Sequence, residues 1–161
     1  MRREFEYVRH GVVHLFTAFE VSQGRVIAQV HERKTRWEFL ELLEECARQY
    51  RGEVHCVLDN ASYHKTAEIQ KWLSEHPRFH FHFTPTHASW LNQAECWFSI
   101  LSRKALRRGV FDSKEALSQA ILDFVSYWNA RAHPFNWVYG EELLLEKSSF
   151  SSIAAPVQDF C

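Results

Sequence analysis

Two carboxylates, Asp59 and Glu95, stand out for where they sit. Asp59 follows the apolar run Val-His-Cys-Val-Leu at residues 54–58, and Glu95 lies beyond thirty-five intervening residues, within the tryptophan-rich stretch Trp-Leu-Asn-Gln-Ala-Glu-Cys-Trp. A strand-end carboxylate and a helix carboxylate that meet can hold a divalent ion. Phosphoryl transfer with two such ions about 4 Å apart needs several carboxylates at one point, because Mg²⁺ takes oxygen ligands in octahedral geometry. Read as isolated residues they also have plainer roles, since an Asp after a strand often caps a turn and a Glu on a helix is usually solvated.

Their neighbours suit the same chemistry. Asn60 and His64 follow Asp59 and could orient it or contact a phosphate. Asn92 precedes Glu95 by three positions and so sits about 60° round a helix of about 100° per residue. A local capping role for Asn60 and Asn92 remains open. Arg103, Lys104, Arg107 and Arg108 concentrate positive charge one to three turns beyond Glu95, and Arg2, Arg3 and Arg9 form a smaller cluster. Such cations could contact a DNA backbone, or simply complement a helix C-terminus. Trp90 and Trp97 could stack on bases, but beside a helical stripe they read as packing residues. Ten histidines invite a zinc reading. His80 and His82 share a strand face, yet no cysteine lies near enough in sequence for compact structural-zinc spacing; they are expected to be polar groups opposite three buried phenylalanines.

The elements that must position these residues follow from periodicity. Residues 12–20 and 25–31 are β-rich runs joined across Val-Ser-Gln-Gly, which predicts an antiparallel hairpin. Both of its faces carry apolar groups, so both should be covered. Thr35 and Glu38 have capping-box spacing, and Phe39, Leu42, Leu43, Cys46 and Tyr50 then recur at helical intervals until Gly52. A strand at 54–58 delivers Asp59. A shorter helix at 66–75 ends before Pro77, and strict alternation marks a strand at 79–83. Ser89 is the predicted N-cap of a helix striped by Ala94, Trp97, Phe98, Leu101 and Ala105 that ends at Gly109. Asp112 and Glu115 predict the cap of a further helix, with Leu117, Ile121, Phe124, Val125 and Trp128 facing inward. A short helix at 141–147 is expected, then a weakly structured tail over about 148–161.

Composition sets the class. With 161 residues, 46% hydrophobic and 24% charged, the chain suits one globular domain spanning 1–161. No apolar run approaches the roughly 20 residues of a membrane span, and no signal segment follows Met1, so a cytoplasmic protein without a membrane partner is expected. The four cysteines lack CxxC spacing and read as reduced thiols. A net charge of −1 means that DNA contact must come from local clusters.

The motif series is more specific than any one carboxylate. Val57-Leu58-Asp59-Asn60, His64, Phe83-Thr84-Pro85, then Ser89-Trp90-Leu91-Asn92 and Glu95 resembles the DDE endonuclease domain of bacterial insertion-sequence transposases related to the mariner group, over roughly residues 7–146. The resemblance implies a ribonuclease H-like mixed α/β sheet flanked by helices. It also implies DNA strand cleavage and transfer with two Mg²⁺ or Mn²⁺ ions. Asp59 would bridge the ions and Glu95 would hold one of them; Asn60, His64 and Asn92 would support. Transposon ends and target DNA would be the partners, and a homodimer is left open. In the resembling proteins the first catalytic Asp lies on a strand ahead of the segment matching Tyr7-Val8-Arg9-His10-Gly11. That strand is expected to be missing here, which makes this a partial catalytic domain. The alternative is an inactive DNA-binding or dimerising remnant.

Overall fold

A computed structural model describes residues 11–84, 93–134, 151–154 and 157–160, the last two through their backbone. The chain enters through a hairpin of β1 (Val13–Glu20) and β2 (Arg25–His31), paired from His14↔His31 to Glu20↔Arg25. Gly24 closes the turn at φ +70°, its N–H donating to the Glu20 carbonyl at 2.7 Å. A Cβ there would lie 2.0 Å from the His133 carbonyl oxygen, so glycine is required by both conformation and space.

Helix α1 (Arg36–Gln49) starts on the expected capping box: the Thr35 side chain accepts from the Trp37 N–H, and the Glu38 carboxylate accepts from the Thr35 N–H. β3 (Val54–Leu58), α2 (Ala67–Glu75) and β4 (Phe79–Phe83) follow, with β3 and β4 parallel from Val54↔Phe79 to Leu58↔Phe83. Then come α3 (Gln93–Leu101) and α4 (Lys114–Asn129). Two last strands, β5 (Ser151–Ala154) and β6 (Val157–Phe160), complete a six-stranded sheet of order β2-β1-β5-β3-β4, with β6 also on β1. This is a mixed α/β architecture of the kind expected, a sheet flanked by helices on both faces.

Alternation along β1 explains the two-sided core. Phe16 and Ala18 pack with Phe39, Leu42, Cys46 and Ile69 from α1 and α2. Val13, Leu15 and Phe19 pack with Trp97, Leu101, Ile121 and Val125 from α3 and α4. A strand covered on both faces is rich in apolar residues, as β1 is at five of its eight positions, with Thr17 and Glu20 buried among them.

Four expectations change. The cap of α4 is Ser113 rather than Asp112: its hydroxyl accepts from the Ala116 N–H at 3.1 Å, which places the first turn one residue later. The helix expected to run to Gly109 is α-helical only to Leu101 and continues as a π-helical turn at Ser102–Leu106, closed by Arg107 N–H donating to the Ser102 carbonyl. Of the three alternating phenylalanines only Phe79 is buried: β4 is the sheet edge, where Phe81 still meets Phe39 of α1 at a ring-centroid distance of 6.2 Å and Phe83 is 38% exposed. The tail expected to be weakly structured carries β5 and β6. There, backbone partners on neighbouring strands override weak local propensity. The N-cap Ser89, the helix at 141–147, Asn92, Trp90 and the Arg2, Arg3, Arg9 cluster lie outside the described residues.

Candidate active site

Asp59 leaves β3 at its carboxyl end and turns at once. Its Oδ1 accepts from the Ala61 N–H at 3.0 Å, an Asx-type turn that fixes the carboxylate against its own backbone. The next residues form a 3₁₀ turn, Ser62–Lys65, which swings His64 back under the strand end. His64 is completely buried between Phe39 and Tyr63, with ring centroids 4.4 and 4.3 Å away. Its Nδ1–H donates to the Asp59 carbonyl at 3.2 Å and to the Asp59 carboxylate at 3.2 Å. The His64 bond, opposed by desolvation and helped by the Ala61 N–H, holds the Asp59 carboxyl below the usual carboxylate range. His64 is therefore a positioning residue seated in the core, and its Nε2 has no hydrogen-bond partner among the described residues.

Asn60 ties loops together. Its Nδ2 donates to the Thr84 carbonyl at 2.5 Å, its Oδ1 accepts from Lys65 Nζ at 2.8 Å, and the Thr84 N–H donates to the Leu58 carbonyl at 2.8 Å. These bonds clamp the carboxyl ends of β3 and β4 side by side. Asn60 supports the site through the backbone and is already satisfied.

Glu95 sits in the first turn of α3, whose opposite face buries Ala94, Trp97, Phe98 and Leu101. That stripe anchors the helix on β1 and turns Glu95 outward. Its carboxyl is pushed above the usual range, first by desolvation and then by the charge of Asp59. Only Glu95 feels the pair this way. Asp59, held low by His64, is already ionised when Glu95 titrates, so the repulsion falls on the later group. The two carboxylates separated by thirty-five residues thus share one electrostatic neighbourhood.

An open depression of about 650 Å³ runs along α3, lined by Glu95, Cys96, Ser99, Ser102 and Arg103 among others. Arg103, Lys104, Arg107 and Arg108 are all exposed, and none forms an ion pair with a described residue. The π-helical turn shifts this cationic segment out of the register of α3, a change no apolar period could disclose.

A hard divalent cation fits this donor set in kind. Two oxygen-bearing carboxylates repel one another, and a cation between them would relieve that repulsion. Among the described residues no three His, Cys, Asp or Glu groups gather into a metal cage. Two acids ahead of α1 are committed elsewhere: buried Glu20 accepts from Ser22 Oγ and Tyr50 Oη, each at 2.9 Å, and Glu32 pairs with Lys114 Nζ.

The histidines form a separate group. His80 and His82 do share a face, and His55 joins them from β3: its Nδ1 is 2.9 Å from His82 Nε2, and its ring stacks on His80 at 4.8 Å. Sequence spacing missed His55 because cross-strand register brings it in. Two further residues escaped notice. Asn129 pairs with both backbone groups of Val26, at 2.8 and 2.7 Å, which satisfies the β2 edge. Arg78 donates to the carbonyls of Ala47, Tyr50 and Gly52, closing the end of α1.

A family model described as DDE superfamily endonuclease matches residues 1–118. The chain belongs to this family. Among curated proteins, the insertion element IS630 uncharacterized 39 kDa protein of Shigella sonnei is 30% identical over 114 residues, covering 70% of this chain and 33% of that protein. The chain thus spans about a third of the relative's length. A solved simian T-cell lymphotropic virus intasome in complex with PP2A regulatory subunit B56 gamma aligns with 61% of this chain and 37% of that one, at 22% identity and a TM-score of 0.48. The likeness to insertion-sequence transposases inferred from the motifs agrees with the DDE endonuclease match and the insertion-element relative. Among the described residues, no helix of this DDE domain is long and apolar enough to cross a membrane.

Proposed function

We propose that this DDE domain serves DNA strand cleavage and transfer in transposition, with Asp59 and Glu95 as ligands of Mg²⁺ or Mn²⁺. What supports the reading is the placement of the two carboxylates, Asp59 fixed at the end of β3 by His64 and the Ala61 N–H and Glu95 turned outward from the first turn of α3, with the Glu95 carboxyl pushed up by desolvation and then by the charge of Asp59. Divalent ions, when bound, supply charge neutralisation at the scissile phosphate and lower the proton affinity of the attacking oxygen. The chain's own residues do the rest. His64 holds Asp59 in one orientation, Asn60 keeps the β3 and β4 ends together, and the Arg103 to Arg108 cations receive the DNA backbone beside Glu95. In cleavage a water oxygen bonds to phosphorus and a ribose oxygen leaves with a proton as a 3′-hydroxyl. In transfer that hydroxyl attacks a target phosphodiester and displaces another.

A second reading rests on the third ligand. With Glu20 and Glu32 engaged in the fold, Asp59 and Glu95 have no third carboxylate beside them among the described residues. Residues 1–161 alone would then bind DNA and dimerise, with weak metal binding and little nicking. One experiment separates the two readings: Mn²⁺ titration followed by electron paramagnetic resonance, with supercoiled-plasmid nicking, on wild type, Asp59→Asn and Glu95→Gln. Metal binding and nicking that both variants abolish support the catalytic reading. Weak binding without nicking supports the second, and binding unaffected by either variant sinks the site.

A further inference from the structure

The two edges of the sheet are finished differently. At one, Asn129 holds both backbone groups of Val26 in β2. At the other stands β4, with no strand beyond it among the described residues. An open edge is ordinarily blunted by lysine, proline, a bulge or a covering segment. β4 contains no lysine, proline or acid, and its register with β3 runs unbroken from Val54↔Phe79 to Leu58↔Phe83.

The backbone shows which groups face outward. Val54 N–H donates to the Arg78 carbonyl and Thr84 N–H donates to the Leu58 carbonyl, each at 2.8 Å, so the even-numbered residues here turn their peptide groups toward β3. Alternation then turns the odd-numbered ones away from it. Phe79 N–H donates to the His76 carbonyl at 2.9 Å, whereas the N–H and C=O of Phe81 and Phe83 have no partner among the described residues. These are the donors and acceptors that an added strand engages.

The sequence selects which strand that is. β4 is Phe-His-Phe-His-Phe, the same in both directions. An antiparallel copy related by a two-fold axis at Phe81 therefore sets Phe81 opposite Phe81, Phe79 opposite Phe83 and His80 opposite His82. Because the peptide groups of Phe81 point outward, the central pair exchanges two N–H···O=C bonds, and the His80–His82 pairs fall at the closer, non-hydrogen-bonded positions. The faces agree as well. Phe79 and Phe81 belong to the core packed by α1 and α2, and Phe83, 38% exposed, meets Phe81 edge-on. In the paired sheet Phe79 of the second copy lies across from that exposed ring.

We propose that β4 is a homodimer edge: two copies of this chain pair β4 to β4, antiparallel about Phe81, and join their sheets into one. The interface is isologous, and the Asn129 clasp blunts the β2 edge at either end, so growth stops at two copies. With residues about 3.3 Å apart along a strand and strands about 4.8 Å apart, the two Asp59 positions would stand roughly 25 Å from one another. The pairing is independent of whether Asp59 and Glu95 hold metal. A five-residue ladder is short, which places the dimer at micromolar rather than nanomolar concentration.

Sedimentation equilibrium on the full chain tests this, with the mass expected to rise from 19.1 kDa toward twice that value across the micromolar range. Phe83→Pro removes an outward N–H and leaves the bonds to β3 in place, so it should weaken association at least tenfold, and Phe83→Val, which keeps that N–H, should weaken it less. Register is read by cross-linking in a Cys96→Ser, Cys161→Ser background. A mixture of His80→Cys and His82→Cys chains should form the disulfide under mild oxidation at least tenfold faster than either variant forms one with itself. A single-chain mass at the highest concentration, equal loss in Phe83→Pro and Phe83→Val, or a mixture that cross-links no faster than its components overturns the proposal. Should Phe83→Pro fail to fold by circular dichroism, the mixed cross-link alone decides.

Discussion

Replacing His64 by Phe separates a positioning role from a packing one. The ring is fully buried, so Phe keeps the contacts with Phe39 and Tyr63 but removes the Nδ1–H that reaches Asp59. A hydrogen bond to a charged group contributes about 1.5–3 kcal/mol. The Asp59 side chain is 50% exposed, so water replaces much of that bond and the loss shrinks to roughly 1 kcal/mol. Against it stands a gain: the buried Nε2 has no described partner, and deleting an unsatisfied polar atom returns about 1–3 kcal/mol. The net lies between about zero and 2 kcal/mol in the variant's favour. Thermal unfolding at neutral pH should rise by no more than about 8 °C, since a chain of this size shifts about 2–4 °C per kcal/mol. Metal affinity should behave differently, falling about 10-fold or more, the usual cost of losing a group that orients a ligand. The Asp59 carboxyl should also rise. Because its pKa is depressed in the folded chain, the stability it contributes is present above the ordinary carboxylate range and lost as pH falls through the folded value. The part of the difference that the bond supplies should therefore vanish in acid, leaving the variant ahead by what deleting Nε2 returns. Melting curves across pH, a carboxyl-carbon NMR titration and Mn²⁺ titration together read all three quantities. A loss above about 3 kcal/mol with unchanged Mn²⁺ affinity would refute the argument and make His64 a core residue alone.

Asp59→Asn should bring the Glu95 carboxyl down toward its ordinary range. The raised Glu95 pKa favours the fold at low pH, and that contribution is lost as pH rises through the folded value; in the variant the loss should shrink, and an unchanged Glu95 titration would mean the carboxylates do not interact. Replacing Arg103, Lys104, Arg107 and Arg108 with Ala should weaken nonspecific DNA binding and flatten its salt dependence by up to about 0.9 log units for each phosphate no longer neutralised. Equal slopes in filter binding would leave those cations to the helix end. Asn129→Ala strips two bonds from Val26 and should cost about 1–3 kcal/mol in urea unfolding; a cost near zero would mean water satisfies the β2 edge equally well. Gly24→Ala meets both the positive φ and the His133 carbonyl, so a loss above about 2 kcal/mol is expected, and a neutral result would show that the turn rearranges.

Local pattern carried most of the secondary structure. β2, β3 and β4 have the limits their composition and punctuation predict, and α1 starts on its capping box, because alternation, helical period and caps are short-range properties. Asp59 and Glu95 were legible as candidates for the same reason, each being marked by the element that carries it. Their mutual repulsion was not. It depends on how α3 lies against β1 and on what His64 does to Asp59 first, and both are matters of packing. The π-helical turn, the His55 partner of His82 and the clasp of Asn129 on Val26 were equally silent, since register and side-chain reach across distant segments leave no period in the chain. The largest divergence is the middle of the sheet. A serine-rich stretch interrupted by proline has no strand signal of its own, and only the neighbouring strands, β1 beside both segments and β3 beside the first, make residues 151–154 and 157–160 extended there.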